Sequence, residues 1–372
     1  MKTVIVSGAL ANKPLNGGEA WVRLSWVRGM QRLGFRVCFV EQIADATPAP
    51  AALDYFERVT RAFDLSACLI DKDGSPLRGM SRGELRDAAG SAELLINISG
   101  HLPASLEVFR TVRRTVYVDI DPGYTQIWNE QGCLPLEGHD SYYTIANNIG
   151  RPGCSIPTGN IGWRTTLQPV VLDDWPVIPP PGEMKFTTVA AWRGSFGTVT
   201  HAGQTFGQKV HEFRKVIELP KMSKFKFEIA LLIHPGDVKD HEALLANGWS
   251  LVDPQEVAAD PEDFRRYVQN SSAEFSVAQG MYVQTGSGWF SDRSVRYLAS
   301  GRPVLVQATG YPGVPLGEGI ITFESLDEAV AGAERIARDY TLHAAAARRI
   351  AVDHFDSGKV LTKLCDEVGV RP

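Results

Sequence analysis

Residues 287–310, SGWFSDRSVRYLASGRPVLVQATG, group side chains suited to holding an anion. A loop carrying Gly288 runs into a helix that starts near Ser291 and stops at Gly301, and a buried strand follows. A loop feeding a helix start offers unpaired backbone N–H groups and the positive end of the helix dipole, which suits a diphosphate. Ser291 and Asp292 are good N-cap residues, and Arg293 would add charge-assisted bonds to phosphate oxygens. Any α/β protein needs such a capped helix, so the spacing alone leaves a purely structural reading open. Acid–base types sit at strand ends in the first half of the chain. His101 follows the strand ending in Ser99-Gly100, and Asp119 and Asp121 flank the end of the next strand. His101 also reads as a satisfied loop residue, and Asp121-Pro122-Gly123 as a turn signature. Asp119, between apolar Val118 and Ile120, requires a polar partner wherever it is buried.

Two runs of alternating strand and helix must position these groups. The first has strands at 3–8, 35–43, 67–71, 93–100 and 115–123, with helices near 19–33, 52–64, 81–89 and 104–113. The second has strands at 185–192, 225–233, 249–252, 273–278 and 303–307, with helices near 207–218, 238–247, 261–269 and 291–300. Strands too apolar to have a wet face imply parallel sheets covered on both sides, with ligands at their carboxyl ends. The Pro- and Gly-rich stretch 151–182 reads as a crossing between domains that ends in the stiff PPPG of 179–182. The fold class is therefore α/β, two Rossmann-like doubly wound parallel-sheet domains facing a cleft. The expected domains are 1–165, a crossing at 166–183, 184–340, and C-terminal helices over 341–372 that return towards the first domain. Val360, Leu361, Leu364 and Val368 give the last helix one apolar stripe to bury.

At 372 residues the chain exceeds what one core usually fills, and 44% apolar with 22% charged residues is ordinary for a globular protein. A net charge of −5 supplies no general attraction to nucleic acid or to anionic membrane. No run reaches the ~18 apolar residues of a membrane span. The opening MKTVIVSGALANKP reads as a buried strand and not as a secretory leader, because a glycine-rich turn and a helical pattern follow. Five scattered cysteines without a C-x-x-C pair fit reduced thiols in a cytoplasmic protein.

The element at 287–310, with its Ala-Ser-Gly-Arg-Pro-Val turn, resembles the donor-binding element of GT-B glycosyltransferases, in particular bacterial family-1-like and family-4-like members. The resemblance extends through PLGEGIITFESLDEAV (315–330), where such enzymes place a loop and helix that close the donor site, here with Glu318. It implies that Arg193 and Lys209, after the first strand and at the next helix start of the second domain, point at the donor diphosphate. It implies also that Gly17-Gly18 lets the backbone approach the donor phosphate or the acceptor. An inverting enzyme of this kind would take its general base from His101, Asp119 or Asp121; in a retaining one these residues would bind acceptor. This chain departs from the pattern at two positions. Where common retaining members carry two glutamates eight apart, it has Gly288 and Arg296, and the plant-type His-Cys-Gly-Trp-Asn-Ser run is absent.

The resemblance implies transfer of a sugar from a nucleotide-sugar to an acceptor hydroxyl, with no cofactor beyond the nucleotide-sugar itself. Other readings share the architecture: a nucleotide-sugar epimerase or phosphorylase, a non-catalytic nucleotide-sugar-binding protein, and a DNA-base glucosyltransferase, against which the net charge argues. An NAD oxidoreductase would need G-x-G-x-x-G after the first strand, where the chain has SGALANKPLNGG. Asp119-Ile120-Asp121 matches a metal-binding D-x-D only in its letters, so activity without a divalent metal is expected.

Overall fold

The computed structural model describes residues 1–43, 45 and 47–372. Eight strands form the first sheet: β1 Thr3–Ser7, β2 Arg36–Gln42, β3 Ser66–Ile70, β4 Pro76–Gly79, β5 Ala92–Ile98, β6 Thr115–Asp119, β7 Ser141–Thr144 and β8 Trp163–Thr165. Their order is β4-β3-β2-β1-β5-β6-β7-β8, and all pairs are parallel except β3 with β4. The second half opens with β9 Lys185–Ala191, then a small hairpin of β10 Val199–His201 and β11 Gln204–Phe206. It continues through β12 Lys226–Leu232, β13 Ser250–Val252, β14 Ala273–Ser276, β15 Val304–Gln307 and β16 Ile320–Phe323. Six of these make a wholly parallel sheet in the order β13-β12-β9-β14-β15-β16. Chain order reverses between β1 and β5 in one sheet and between β9 and β14 in the other. Crevices that take ligands open at the carboxyl ends of such strand pairs.

Local chemistry explains the elements that frame these crevices. The helix Gly17–Arg32 starts where the Asn16 side chain accepts the Glu19 amide at 3.1 Å, and it ends before Gly34, whose φ of +95° suits glycine. Ser291 caps the helix Asp292–Ala299 by accepting the Arg293 amide at 3.2 Å. The helix expected over 207–218 shortens to Lys209–Arg214, and a separate helical turn, Leu219–Met222 with Pro220 near its start, follows it. The strand expected to reach Gly123 stops at Asp119, and the chain then turns into the helix Tyr124–Glu130. β4, β7, β8, the β10–β11 hairpin and β16, all of three to four residues, have no periodicity to predict them.

The last helix, Ser357–Glu367, lies on the helix Gly17–Arg32, with Leu361 filling the space where Gly29 has no side chain. Backbone bonds pin its start: the Val170 amide donates to the Phe355 carbonyl at 2.8 Å, and the Ser357 amide to the Val170 carbonyl at 2.9 Å. One apolar core runs from β1 and β2 through Trp21 and Trp175 to Phe264, Val295 and Leu298 of the second half. Among the described residues no helix is long and apolar enough to cross a membrane.

Candidate functional site

At the β1–β5 crevice the first loop is tied down before it presents anything. The buried Glu41 carboxylate accepts the amides of Leu10 and Ala11, each at 2.9 Å, and that of Asn12 at 2.8 Å. Arg23 then crosses the end of β1: a Cβ on Gly8 would lie 2.7 Å from Arg23 Cγ, so glycine is what makes room for it. Arg23 pairs with Glu19 one turn earlier on the same helix. His101 faces the pair. Burial, then the Arg23 charge, pushes its imidazole down to about 4, so the ring is neutral near pH 7.

The two aspartates of 119–121 have different fates. Asp119 is fully buried and already saturated. Its Oδ1 accepts the Thr125 hydroxyl at 2.7 Å and the Asp121 amide at 3.0 Å, while its Oδ2 accepts Thr144 at 2.6 Å and Gln126 at 2.8 Å. Two carboxylate oxygens have about four acceptor sites, so none is left to take a substrate proton. Asp119 therefore anchors the turn that carries Asp121. Among the described residues Asp121 has one side-chain partner, the Tyr282 hydroxyl, which donates at 3.4 Å. Burial raises its carboxyl to about 7; Glu19 and Asp119 push the same way, with Arg23 and Lys13 opposing.

Across the cleft, Arg293 is locked at the β9–β14 crevice. It donates to Glu274 Oε1 at 2.6 Å, to the Val189 carbonyl at 2.8 Å and to Ser276 Oγ at 2.7 Å. The other oxygen of this buried Glu274 has no partner among the described residues. Lys209 opens its helix nearby and takes no hydrogen bond or ion pair through its ammonium among the described residues. Burial, then the Arg293 charge, holds its ammonium down to about 7, with Glu274 opposing. Asp292 pairs with Arg296 at 3.1 Å, and its carboxyl is raised by burial. Among the lesser influences on Asp292 are Glu19 and Arg23, so the two crevices share one electrostatic space. Tyr282, on the short helix Gly280–Gln284, bridges them from Asp121 and stacks on Trp289 at 4.4 Å.

Four of the expected features have other partners in the structure. Gly17 and Gly18 serve packing: a Cβ on Gly17 would lie 2.2 Å from the Asp260 carbonyl oxygen and one on Gly18 3.0 Å from Phe264, so the second domain fills that space. The Gly288 amide donates to the Thr309 carbonyl at 2.7 Å and is not free for a phosphate. Arg193 is held by both oxygens of Asp237, in a group with Asp240 and Arg214. Glu318 is exposed and faces Arg349 on the helix Tyr340–Ile350. The sequence reading missed Lys13, Glu19, Arg23, Glu274 and Tyr282. Glu19 and Arg23 had a detectable signal, a charge pair four apart amid Trp21, Val22 and Leu24.

No protein-family model and no curated protein matches the chain. Solved structures do share its fold. AviGT4, described as a glycosyltransferase involved in avilamycin A biosynthesis, superposes with a TM-score of 0.55 at 12% identity, covering 99% of this chain and 97% of that one. A TarM variant from S. aureus, solved with fondaparinux, alpha-GlcNAc-glycerol and UDP, gives 0.59 at 7% identity, covering 98% and 99%. The chain has the GT-B fold.

Proposed function

We propose that this chain is a glycosyltransferase that moves a sugar from a nucleoside-diphosphate sugar to an acceptor hydroxyl. The observation that carries the reading is the pairing of crevices. An ammonium without a partner among the described residues, Lys209, feels the Arg293 charge at the second-domain crevice, and Asp121, with its carboxyl near neutrality, stands at the first. Bond-making needs both. As the bond from the sugar's anomeric carbon to phosphate oxygen breaks, the departing diphosphate gains negative charge, which Lys209 and Arg293 stabilise. As the acceptor oxygen bonds to the anomeric carbon, its proton passes to Asp121, the better base of the two because His101 is so far depressed. The fold shared with AviGT4 and TarM supports this assignment, and the UDP in the TarM structure supports a nucleoside diphosphate as the leaving group.

The charges supplied are those of side chains, so the reaction is assigned without a divalent metal. The test is calorimetric titration with UDP, GDP and dTDP, joined to an assay of nucleoside diphosphate release from the corresponding sugars, with and without EDTA. Binding of one nucleotide, and release that survives chelation, are expected. Failure of all three to bind would sink the transferase reading. Loss of activity in EDTA, restored by Mn²⁺ or Mg²⁺, would sink its metal-free part. Binding with release but no transfer to any acceptor would favour a nucleotide-sugar isomerising or hydrolysing activity.

A further inference from the structure

The proposed reaction leaves two cations of the first-domain crevice without a task. Arg23 is 2% exposed, and its side-chain hydrogen bonds both leave from Nη1, to the carbonyl and the carboxylate of Glu19. Its Nε is buried with no acceptor among the described residues. A buried donor without an acceptor is costly, and the Nε–Nη2 edge of a guanidinium is a fork that matches carboxylate and phosphate oxygens. Lys13 lies on the loop that Glu41 ties down, and its ammonium has no hydrogen bond or ion pair among the described residues. Its charge acts on His101, Asp121 and Glu19, the same three groups on which Arg23 acts. The fold gives up a side chain at Gly8 to seat Arg23 and buries a carboxylate at Glu41 to hold the Lys13 loop. Among the described residues Glu19 pairs with Arg23 alone.

We propose that the first-domain crevice is an anion subsite, in which Arg23 and Lys13 dock a carboxylate or phosphate carried by the acceptor. The proposal rests on the transferase reading for the word acceptor, since the donor diphosphate is assigned to Lys209 and Arg293 across the cleft. The subsite would hold the acceptor's charged group beside Asp121, leaving a neighbouring hydroxyl facing that base. Positioning of this kind reduces the entropy cost of bringing the hydroxyl into line. Uronic acids, phosphorylated polyols and similar small anions belong to the class; neutral sugars and apolar aglycones do not.

The test titrates matched pairs, glucuronate with glucose and glycerol 3-phosphate with glycerol, into the full chain saturated with UDP, GDP or dTDP. At least one anionic member should bind about tenfold or more tighter than its neutral counterpart, the difference one charge-assisted contact supplies. The pair that responds tells carboxylate from phosphate. Arg23→Gln and Lys13→Gln should each remove most of that preference while leaving the Kd of that nucleotide within about twofold. Lys13 is on a surface loop, so its variant remains informative should Arg23→Gln fold poorly. Equal binding of charged and neutral members overturns the proposal. So does a nucleotide Kd weakened by either variant with the anion preference intact, because the cations would then serve the donor. Wild-type binding of UDP, GDP and dTDP is read first, with whichever binds used to saturate the chain, and failure of all three would count against the transferase reading alone.

Discussion

A carboxylic acid does acid–base work near neutral pH only where its surroundings have lifted it out of the ordinary range. Burial and the Glu19 charge do this for Asp121, while Asp119, two residues earlier, is spent on four hydrogen bonds. Asp121→Asn should therefore lower kcat by roughly 10²–10⁴-fold with the fold intact, and remove the acid limb of the rate profile near pH 7. Asp119→Asn should instead lower the melting temperature, because an amide nitrogen meets donors with a donor. Steady-state rates and thermal melts of the two variants check this, and a reversal of the two phenotypes would exchange the residues' roles. Lys209 gives the opposite pH sign. Its ammonium is held down to about 7, so the free site loses its charge as pH rises through that value. UDP affinity should weaken from pH 6 to 8.5 in the wild type, and Lys209→Met should bind roughly tenfold to a hundredfold more weakly at pH 6 with little further pH dependence. A wild-type Kd that stays flat across this range would detach Lys209 from the phosphates. Arg293 and Asp121 sit at element boundaries, where α/β sheets put ligands, but Lys209 entered through the family resemblance, and of the two aspartates the sequence pointed first to Asp119. Arg193 occupies such a boundary too, and what redirects it is Asp237, forty-four residues away, which no local pattern reveals.

At the scale of elements, long apolar runs declared themselves and short ones did not. β1, β2, β5, β9 and β12 are five- to seven-residue strands whose apolar character identifies them unaided. β7 and β8 exist because β6 offers an edge for Ser141–Thr144 and that strand offers one for Trp163–Thr165, a tertiary cause invisible to a local window. The helix Ser357–Glu367 was legible through its stripe, and the structure shows what covers it: Val360, Leu361 and Leu364 are buried, with Leu361 at Gly29. Each such side chain contributes about 1.5–3 kcal/mol when fully buried. Deleting 358–372 should therefore lower stability and turnover, because the helix that carries Glu19 and Arg23 loses its outer support. UDP affinity should change little, since Lys209 and Arg293 lie on the other domain. Thermal melts, turnover and UDP titration of the truncated chain test this. Normal turnover after truncation would remove the helix from any supporting role.

At the scale of the whole molecule, the sequence suggests a hinge, and the structure shows a crossing laced with hydrogen bonds and shared core. A Pro- and Gly-rich crossing at 151–182 invites the expectation that two bodies swing shut on a ligand. Yet Trp21 of the first domain packs on Trp175 of the crossing at 4.9 Å and donates its indole N–H to the Pro261 carbonyl of the second domain at 2.6 Å. Arg296, 1% exposed, reaches back to the Trp21 carbonyl at 3.1 Å and to Ser25 Oγ at 3.0 Å. Asn148 donates to the Gly286 and Gly310 carbonyls at 2.9 and 2.6 Å. Opening such a joint would strand a guanidinium and several carbonyls while exposing a core that both halves share. Ligand entry then falls to smaller pieces, such as the β10–β11 hairpin, which touches the first domain through His201 and Glu130 at 2.9 Å and through Gln131 and the Thr200 carbonyl at 3.2 Å. The chain should melt in one cooperative calorimetric transition, and its radius of gyration in solution scattering should stay the same within about 1 Å when UDP is added, since the ~20 Å radius expected at this length shrinks visibly on domain closure. Arg296→Met should lower stability by about 3 kcal/mol, because it leaves Asp292 and the Trp21 carbonyl uncompensated. Two separate transitions, or a free protein several ångströms larger than the UDP complex, would restore the hinge and make Arg296 a latch that closes on each turnover.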